Sequence, residues 1–387
     1  MESEILFHLR KFAVPEIVFG SGALELAGKH CRNFGASRVL LVTDEGVREA
    51  GWTARAEDAL AREGLSSVRF EGLTPNPKDS EVMAGVESCQ NGECDLILAV
   101  GGGSPMDCAK GISVAAGNAC HVLELEGVDE IPSPGVPLIC VPTTAGTSAD
   151  VSQFAIITDT AGKRKVALVS KMVIPEIALV DPDTTQTLSQ EVVADSGMDA
   201  LSHSVEAHVS TLSSPLTDMA AREAVRLASG NLLGAYEDRG HEYRENMMMA
   251  SLMAGLAFSN ASLGLVHAMA HSLGGRRDLE HGRCNALLLE EVVRYNARVV
   301  PGKYAELGRI VDPDCASATD SEAVQSLLRC LSALRRGLGI SKGLGEMGLT
   351  REEIPGLAEA AACEPCMATN PVRADREDIE RLLERIL

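Results

Sequence analysis

Apolar residues follow two different rhythms along this chain. Up to about residue 183, short, nearly continuous apolar runs alternate with helical stretches: Arg38–Thr43 (RVLLVT), Ser67–Phe70, Leu96–Val100 (LILAV), Val136–Val141 (VPLICV) and Ile177–Val180. Runs of this kind, separated by helices, predict a parallel sheet covered on both faces. From about Thr184 the apolar positions recur at three- and four-residue spacing, which predicts helices nearly throughout. The change falls in DPDTTQT (Asp181–Thr187). The expectation is an α/β domain over 1–183 and an all-helical domain over 184–387. Within the second half, Met247–Met269 carries no charged residue. It reads as a buried helix or helix pair. A membrane span is disfavoured by Ser251, Ser259, Asn260, Ser262 and His267 inside it and by the lack of a second such run.

Composition narrows the partners. The 387 residues suffice for two domains with a large core. Hydrophobic residues make up 45% but aromatics only 3%, so Ala, Val, Leu, Ile and Met must build that core. A formal charge of −20 repels phosphate backbones and anionic lipid, which argues against nucleic-acid and membrane-surface partners. The 11 cysteines are scattered and odd in number, and the N-terminus shows no apolar signal stretch, so reduced thiols in a cytoplasmic protein are expected. Cys363 and Cys366 form a CEPC pair. No second CxxC accompanies it, so a pair without function is the plainer reading.

Two segments concentrate the candidate chemistry. SGMDALSH places Asp199 and His203 four apart, on one helix face one turn apart. GLVHAMAHSLGGRRDLEHG carries His267, His271 and His281. A lone helical histidine is usually a satisfied core or surface residue. An imidazole at the end of so apolar a run, however, needs a strong partner. Asp199, His203, His267 and His281 suit a borderline divalent cation such as Zn²⁺ or Fe²⁺ with one position left open. Spacing alone does not separate His271 from His267. In the first half, GGGSPMDCAK (Gly101–Lys110) follows the Leu96–Val100 strand. Its glycines let backbone N–H groups approach an anion, and Ser104 is expected to cap a helix beginning at Pro105. A second loop, PTTAGTSAD, offers Thr143, Thr144 and Thr147. Asp44 ends the Arg38–Thr43 strand, where an acid can bind ribose hydroxyls or simply cap a helix.

Together these residues resemble the iron-containing (group III) alcohol dehydrogenase family over essentially the whole chain. The resemblance rests on PNP (Pro75–Pro77), GGGSPMD (Gly101–Asp107), PTTAGT (Pro142–Thr147), DALSH (Asp199–His203), and GLVHAMAHSLGG (Gly264–Gly275) with His281–Gly282. It implies a Rossmann-like dinucleotide-binding domain and an all-helical domain, the dehydroquinate synthase-like architecture, with the site between them. Asp199, His203, His267 and His281 would hold Fe²⁺, or alternatively Zn²⁺. His271 would serve the substrate and cofactor side as a proton relay. Asp44, Asn76, Gly102, Gly103, Ser104, Asp107, Thr143, Thr144, Thr147 and Lys165 would contact NAD. The implied activity is hydride transfer between a small alcohol, or its aldehyde or ketone, and NAD(H), the metal acting as a Lewis acid on the substrate oxygen. A cytoplasmic homo-oligomer, dimer or higher, is part of that expectation.

The sequence departs from the family pattern in places. Ser148, Ala149 and Asp150 follow the threonine loop where a small residue and Ser-Glu are common. Ser189 replaces a proline before the ligand helix. Arg276, Arg277 and Glu280 precede His281, which raises an acid-tailed substrate as a hypothesis; a solvated charged loop is the plainer reading. Rival functions are a glycerol-dehydrogenase-like or dehydroquinate-synthase-like enzyme, a metal-dependent hydrolase, which would leave both loops idle, and a non-catalytic metal or nucleotide binder.

Overall fold

The structure, a computed structural model, describes residues 11–387 except 163, 278, 341 and 342, and excludes the side chain of residue 277. Nine strands are described: β1 Glu16–Phe19, β2 Arg38–Val42, β3 Ser66–Phe70, β4 Leu96–Gly101, β5 Gly127–Val128, β6 Leu138–Pro142, β7 Phe154–Asp159, β8 Arg164–Val169 and β9 Ile177–Val180. Six form a wholly parallel sheet in the order β1-β9-β6-β4-β2-β3. The continuous apolar runs have the expected cause: alternate residues enter different cores. Leu40, Val42, Ile97 and Ala99 pack with Met106 and Ile112, while Val39, Leu41, Leu98 and Val100 pack with Trp52 and Leu60.

After β2 the chain moves outward to β3, then returns to place β4 on the other side of β2. The carboxyl ends of β2 and β4 therefore flank a topological switch point, where open α/β sheets bind ligands. Asp44 follows one of these strands and the glycine loop follows the other.

A second sheet, β5-β8-β7, was not anticipated. Its β7/β8 hairpin pairs Phe154 with Val169 through Asp159 with Arg164. Both strands alternate between more and less buried residues, so they lack the continuous apolar run that marked the main sheet.

After β9 every regular element among the described residues is helical. The core there is aliphatic, with Met198, Leu201, Leu232, Val266, Met269 and Leu288 among its fully buried members. Ser189 caps the helix Gln190–Val209 by accepting the Val192 N–H at 3.3 Å, the task a serine can do where a proline is otherwise found. The uncharged run divides into helices His241–Ala261 and Leu265–Arg277. The break lies at Ser262, held at φ 62°. Among the described residues no single helix is long and apolar enough to cross a membrane; this pair meets that test only jointly, and it bends by 98°.

Candidate active site

The bend sets the geometry of the site. It starts a new helix two residues before His267, against the side of the Gln190–Val209 helix that carries Asp199 and His203. His281 opens a third helix, His281–Asn296. Asp199, His203 and His267 are 2%, 4% and 1% exposed, so their polar atoms depend on one another. Asp199 Oδ1 lies 3.6 Å from His267 Nε2, 3.6 Å from His281 Nε2 and 3.8 Å from His203 Nε2. A tetrahedral cation with bonds of about 2.0–2.2 Å needs donor atoms roughly 3.3–3.6 Å apart. The four residues thus fit a divalent ion with little adjustment.

The surroundings agree. Burial alone would raise the Asp199 carboxyl, but His203, His281 and His267 hold it well below the usual range. Burial lowers His203 to about 4 and His281 to about 3, so both offer neutral lone pairs. His267 differs: despite burial, Asp199 and Glu206 push it up to about 9. Two acids around one ring favour positive charge there, whether a proton or a cation supplies it. Asn285 reports the same field. Its Nδ2 lies 2.7 Å from Asp199 Oδ1, 3.2 Å from His267 Nε2 and 3.1 Å from His281 Nε2.

Glu206, which the sequence reading missed, positions His267. Its Oε2 accepts from His267 Nδ1 at 2.6 Å, which leaves Nε2 facing Asp199. The same carboxylate accepts the Gly264 and Val266 N–H groups at 3.1 and 2.6 Å, capping the new helix with negative charge. A signal existed: Glu206 follows Asp199 by seven residues and shares its helix face.

Gly282 permits the close helix contact. A Cβ there would sit 2.2 Å from the Asp195 carbonyl oxygen. Gly282→Ala is expected to destabilise the fold by about 1–3 kcal/mol through overpacking. A lowered denaturant midpoint at unchanged slope would show it; an unshifted midpoint would contradict the contact.

The residues expected at the cofactor gather at the carboxyl edge of the main sheet. Gly102 and Gly103 face the threonine loop, where added Cβ atoms would lie 3.3 Å from Thr144 Cγ2 and 2.9 Å from Thr147 Cγ2. Thr143 is buried and donates its N–H to the Gly101 carbonyl. Lys165 Nζ donates to Thr158 Oγ1, which donates to the Asn76 carbonyl, and the Asn76 N–H reaches Ser104 Oγ at 3.2 Å. Ser104 is therefore not the cap: the helix Gly103–Asn118 already starts at Gly103, with Gly102 at its N-cap position. Its hydroxyl ties the Pro75–Pro77 loop to the glycine loop instead. Asp44 does cap the next helix, accepting the Val47 N–H at 2.9 Å with one oxygen. Asp107 accepts the Ile156 N–H with Oδ2, which joins the glycine-loop helix to β7. Asp150 is buried near Lys110, whose ammonium donates to the Ser152 and Phe154 carbonyls.

The threonine loop bridges the two clusters. Thr147 lies against Gly103, while the Gly146 Cα abuts Ser196 on the helix that carries Asp199 and His203.

Comparison with known proteins decides the family. The family described as iron-containing alcohol dehydrogenase matches residues 15–182, and its C-terminal domain matches 193–387. The chain belongs to the iron-containing alcohol dehydrogenase family. It is 36% identical over 383 residues to 1,3-propanediol dehydrogenase of Citrobacter freundii, covering 98% of this chain and 99% of that one. A crystal structure of 1,3-propanediol oxidoreductase superposes with TM-score 0.96 at 35% identity, covering 98% and 100% of the two chains. A sulfoacetaldehyde reductase from Bifidobacterium kashiwanohense, solved in complex with NAD⁺, superposes with TM-score 0.89 at 28% identity, covering 98% and 99%. The architecture is that of iron-containing alcohol dehydrogenases, a parallel-sheet half and a helical half. All 11 cysteines are free thiols. Arg276 is exposed and its guanidinium lies over Gly356, in the helix Ile354–Ala362. The part of the acid-tail hypothesis that falls on the side chain of residue 277 lies outside the described residues.

Proposed function

We propose that this iron-type dehydrogenase interconverts a small alcohol or diol and its aldehyde with NAD(H) as redox partner. One observation carries the reading: the Pro142–Thr147 loop touches the glycine loop on one side and, at Ser196, the helix that carries Asp199 and His203 on the other. A dinucleotide held at the switch point would thus meet a substrate held at the four-ligand cluster. The relatives support it, being a 1,3-propanediol dehydrogenase and a reductase solved with NAD⁺.

Asp199, His203, His267 and His281 would hold the ion, Fe²⁺ by family and Zn²⁺ by ligand type. When bound, the ion supplies Lewis acidity toward the substrate oxygen and NAD accepts the hydride. The protein does the rest by position. Glu206 fixes the His267 ring, and Asn285 donates to Asp199. Gly102, Gly103 and Ser104 present helix N–H groups to the pyrophosphate, with Thr144 and Thr147 at their side. Asn76 and Lys165 line the same edge, with Thr143 and Asp107 bracing it from beneath. His271, half-buried, has Nδ1 at 3.3 Å from Glu364 Oε1 and its ring stacked 5.3 Å from that of His281. That pairing leaves Nε2 to exchange the substrate proton.

Asp44 sets cofactor choice through its second carboxylate oxygen, which accepts ribose hydroxyls and repels a 2′-phosphate. The wild type is expected to use NADH better than NADPH, and Asp44→Gly to narrow the gap by about tenfold or more, the worth of one hydrogen bond to a charged group. Comparing kcat/KM for both cofactors checks this; equal use by the wild type refutes it. The whole reading is tested by a panel of short alcohols, diols and acid-tailed alcohols with NAD and added Fe²⁺ or Zn²⁺. Short alcohols or diols should be oxidised only with metal present, and full activity after thorough chelation would overturn the proposal. Leu216 and Met219, exposed at the start of the helix Pro215–Tyr236, are the kind of apolar surface a second subunit covers, in keeping with a homo-oligomer.

A further inference from the structure

A second group of metal-ligating side chains lies beside the first. His271, Glu364 and Cys366 offer a ring nitrogen, a carboxylate oxygen and a sulfur, all within 4.8 Å of one another. His271 sits one turn beyond His267 on the same helix, while Glu364 and Cys366 come from the segment after the helix Ile354–Ala362. The His271 and Glu364 side chains are 18% and 23% exposed, so an ion can reach them. Bonds of about 2.0–2.3 Å to N, O and S require donors roughly 3.3–3.8 Å apart. The His271–Glu364 distance of 3.3 Å already meets this, and the Cys366 sulfur lies within 4.8 Å of both donor atoms.

We propose that His271, Glu364 and Cys366 form a second cation site, specific for a soft divalent ion such as Zn²⁺, that withdraws His271 from the reaction when filled. The donor sets differ in kind. The first site has only nitrogen and oxygen, whereas the second has a thiolate, which favours zinc-like over harder ions. Binding releases the Cys366 proton to solvent, since the thiolate is the ligand. Three protein donors leave the fourth position to water. This gives the CEPC segment a use for one of its cysteines only: Cys363 is exposed and lies outside the group.

The test uses Co²⁺ added without oxygen to the full chain already loaded with Fe²⁺. A thiolate-to-cobalt charge-transfer band in the near ultraviolet arises only from sulfur ligation, and the first site has no sulfur. The band should rise to one equivalent, be displaced by Zn²⁺, vanish in Cys366→Ser and survive in Cys363→Ser. Glu364→Gln should weaken Co²⁺ binding at least tenfold while leaving the iron content unchanged. Absence of the band up to millimolar Co²⁺, its persistence in Cys366→Ser, or its loss in Cys363→Ser would each overturn the site. Excess Zn²⁺ should also slow the iron-loaded wild type and not Cys366→Ser. That last arm alone rests on the proposed catalytic role of His271. A normal band without inhibition would leave the site standing and remove its effect on turnover.

Discussion

His267→Ala is expected to lose both the bound metal and turnover. The substitution removes one of four donors. It also strands Glu206, whose carboxylate would remain buried near Asp199 without the ring that separates and neutralises the two acids. Turnover should fall by at least about a thousandfold, the several kcal/mol that a Lewis acid supplies at a developing oxyanion. Metal analysis of the purified variant, with steady-state kinetics and a circular-dichroism melt, separates this from unfolding. A folded His267→Ala protein that keeps a full equivalent of iron and normal turnover would sink the four-ligand assignment.

Glu206→Gln should show a different pattern. The amide oxygen can still accept from His267 Nδ1 and the Gly264 N–H, whereas the amide NH2 would then face the Val266 N–H in place of an acceptor, so the helix start should loosen while the rest of the fold holds. The negative charge that strengthens His267 as a donor is gone. Partners of this kind are worth about 10–100-fold in metal affinity. The expected result is a metal dissociation constant raised by that factor, with kcat recovered at saturating metal. If kcat stayed low at saturating metal while affinity was unchanged, Glu206 would have to act on substrate directly.

Much of this was legible before the structure. β2, β4 and β9 announce themselves because strands buried on both faces must be apolar at every position. The β7/β8 hairpin did not, because its alternation is diluted by Thr158, Asp159, Arg164 and Lys165. Asp199 and His203 were visible by spacing and His267 by its apolar surroundings, since a buried imidazole must find a partner. Glu206 was within reach of the same helical arithmetic. Glu364 was not: it meets His271 only because a segment some ninety residues later folds back onto that helix. Ser104 stands inside its helix and not at the cap because Gly103 is already helical, which a run of three glycines does not announce. Local spacing marks the Asp199, His203 and Glu206 face of one helix, while the meeting of that face with His267 and His281, and of His271 with Glu364, comes from the way the chain returns on itself.

The right-angled corner at Ser262 has a consequence for how this protein can vary. Glu206 grips the amides of Gly264 and Val266 and the ring of His267 at once. One residue inserted between Val266 and His267 would swing the imidazole by about 100° around its axis and lift it by about 1.5 Å. An insertion or deletion there would therefore break the ligand set even where every side chain was kept.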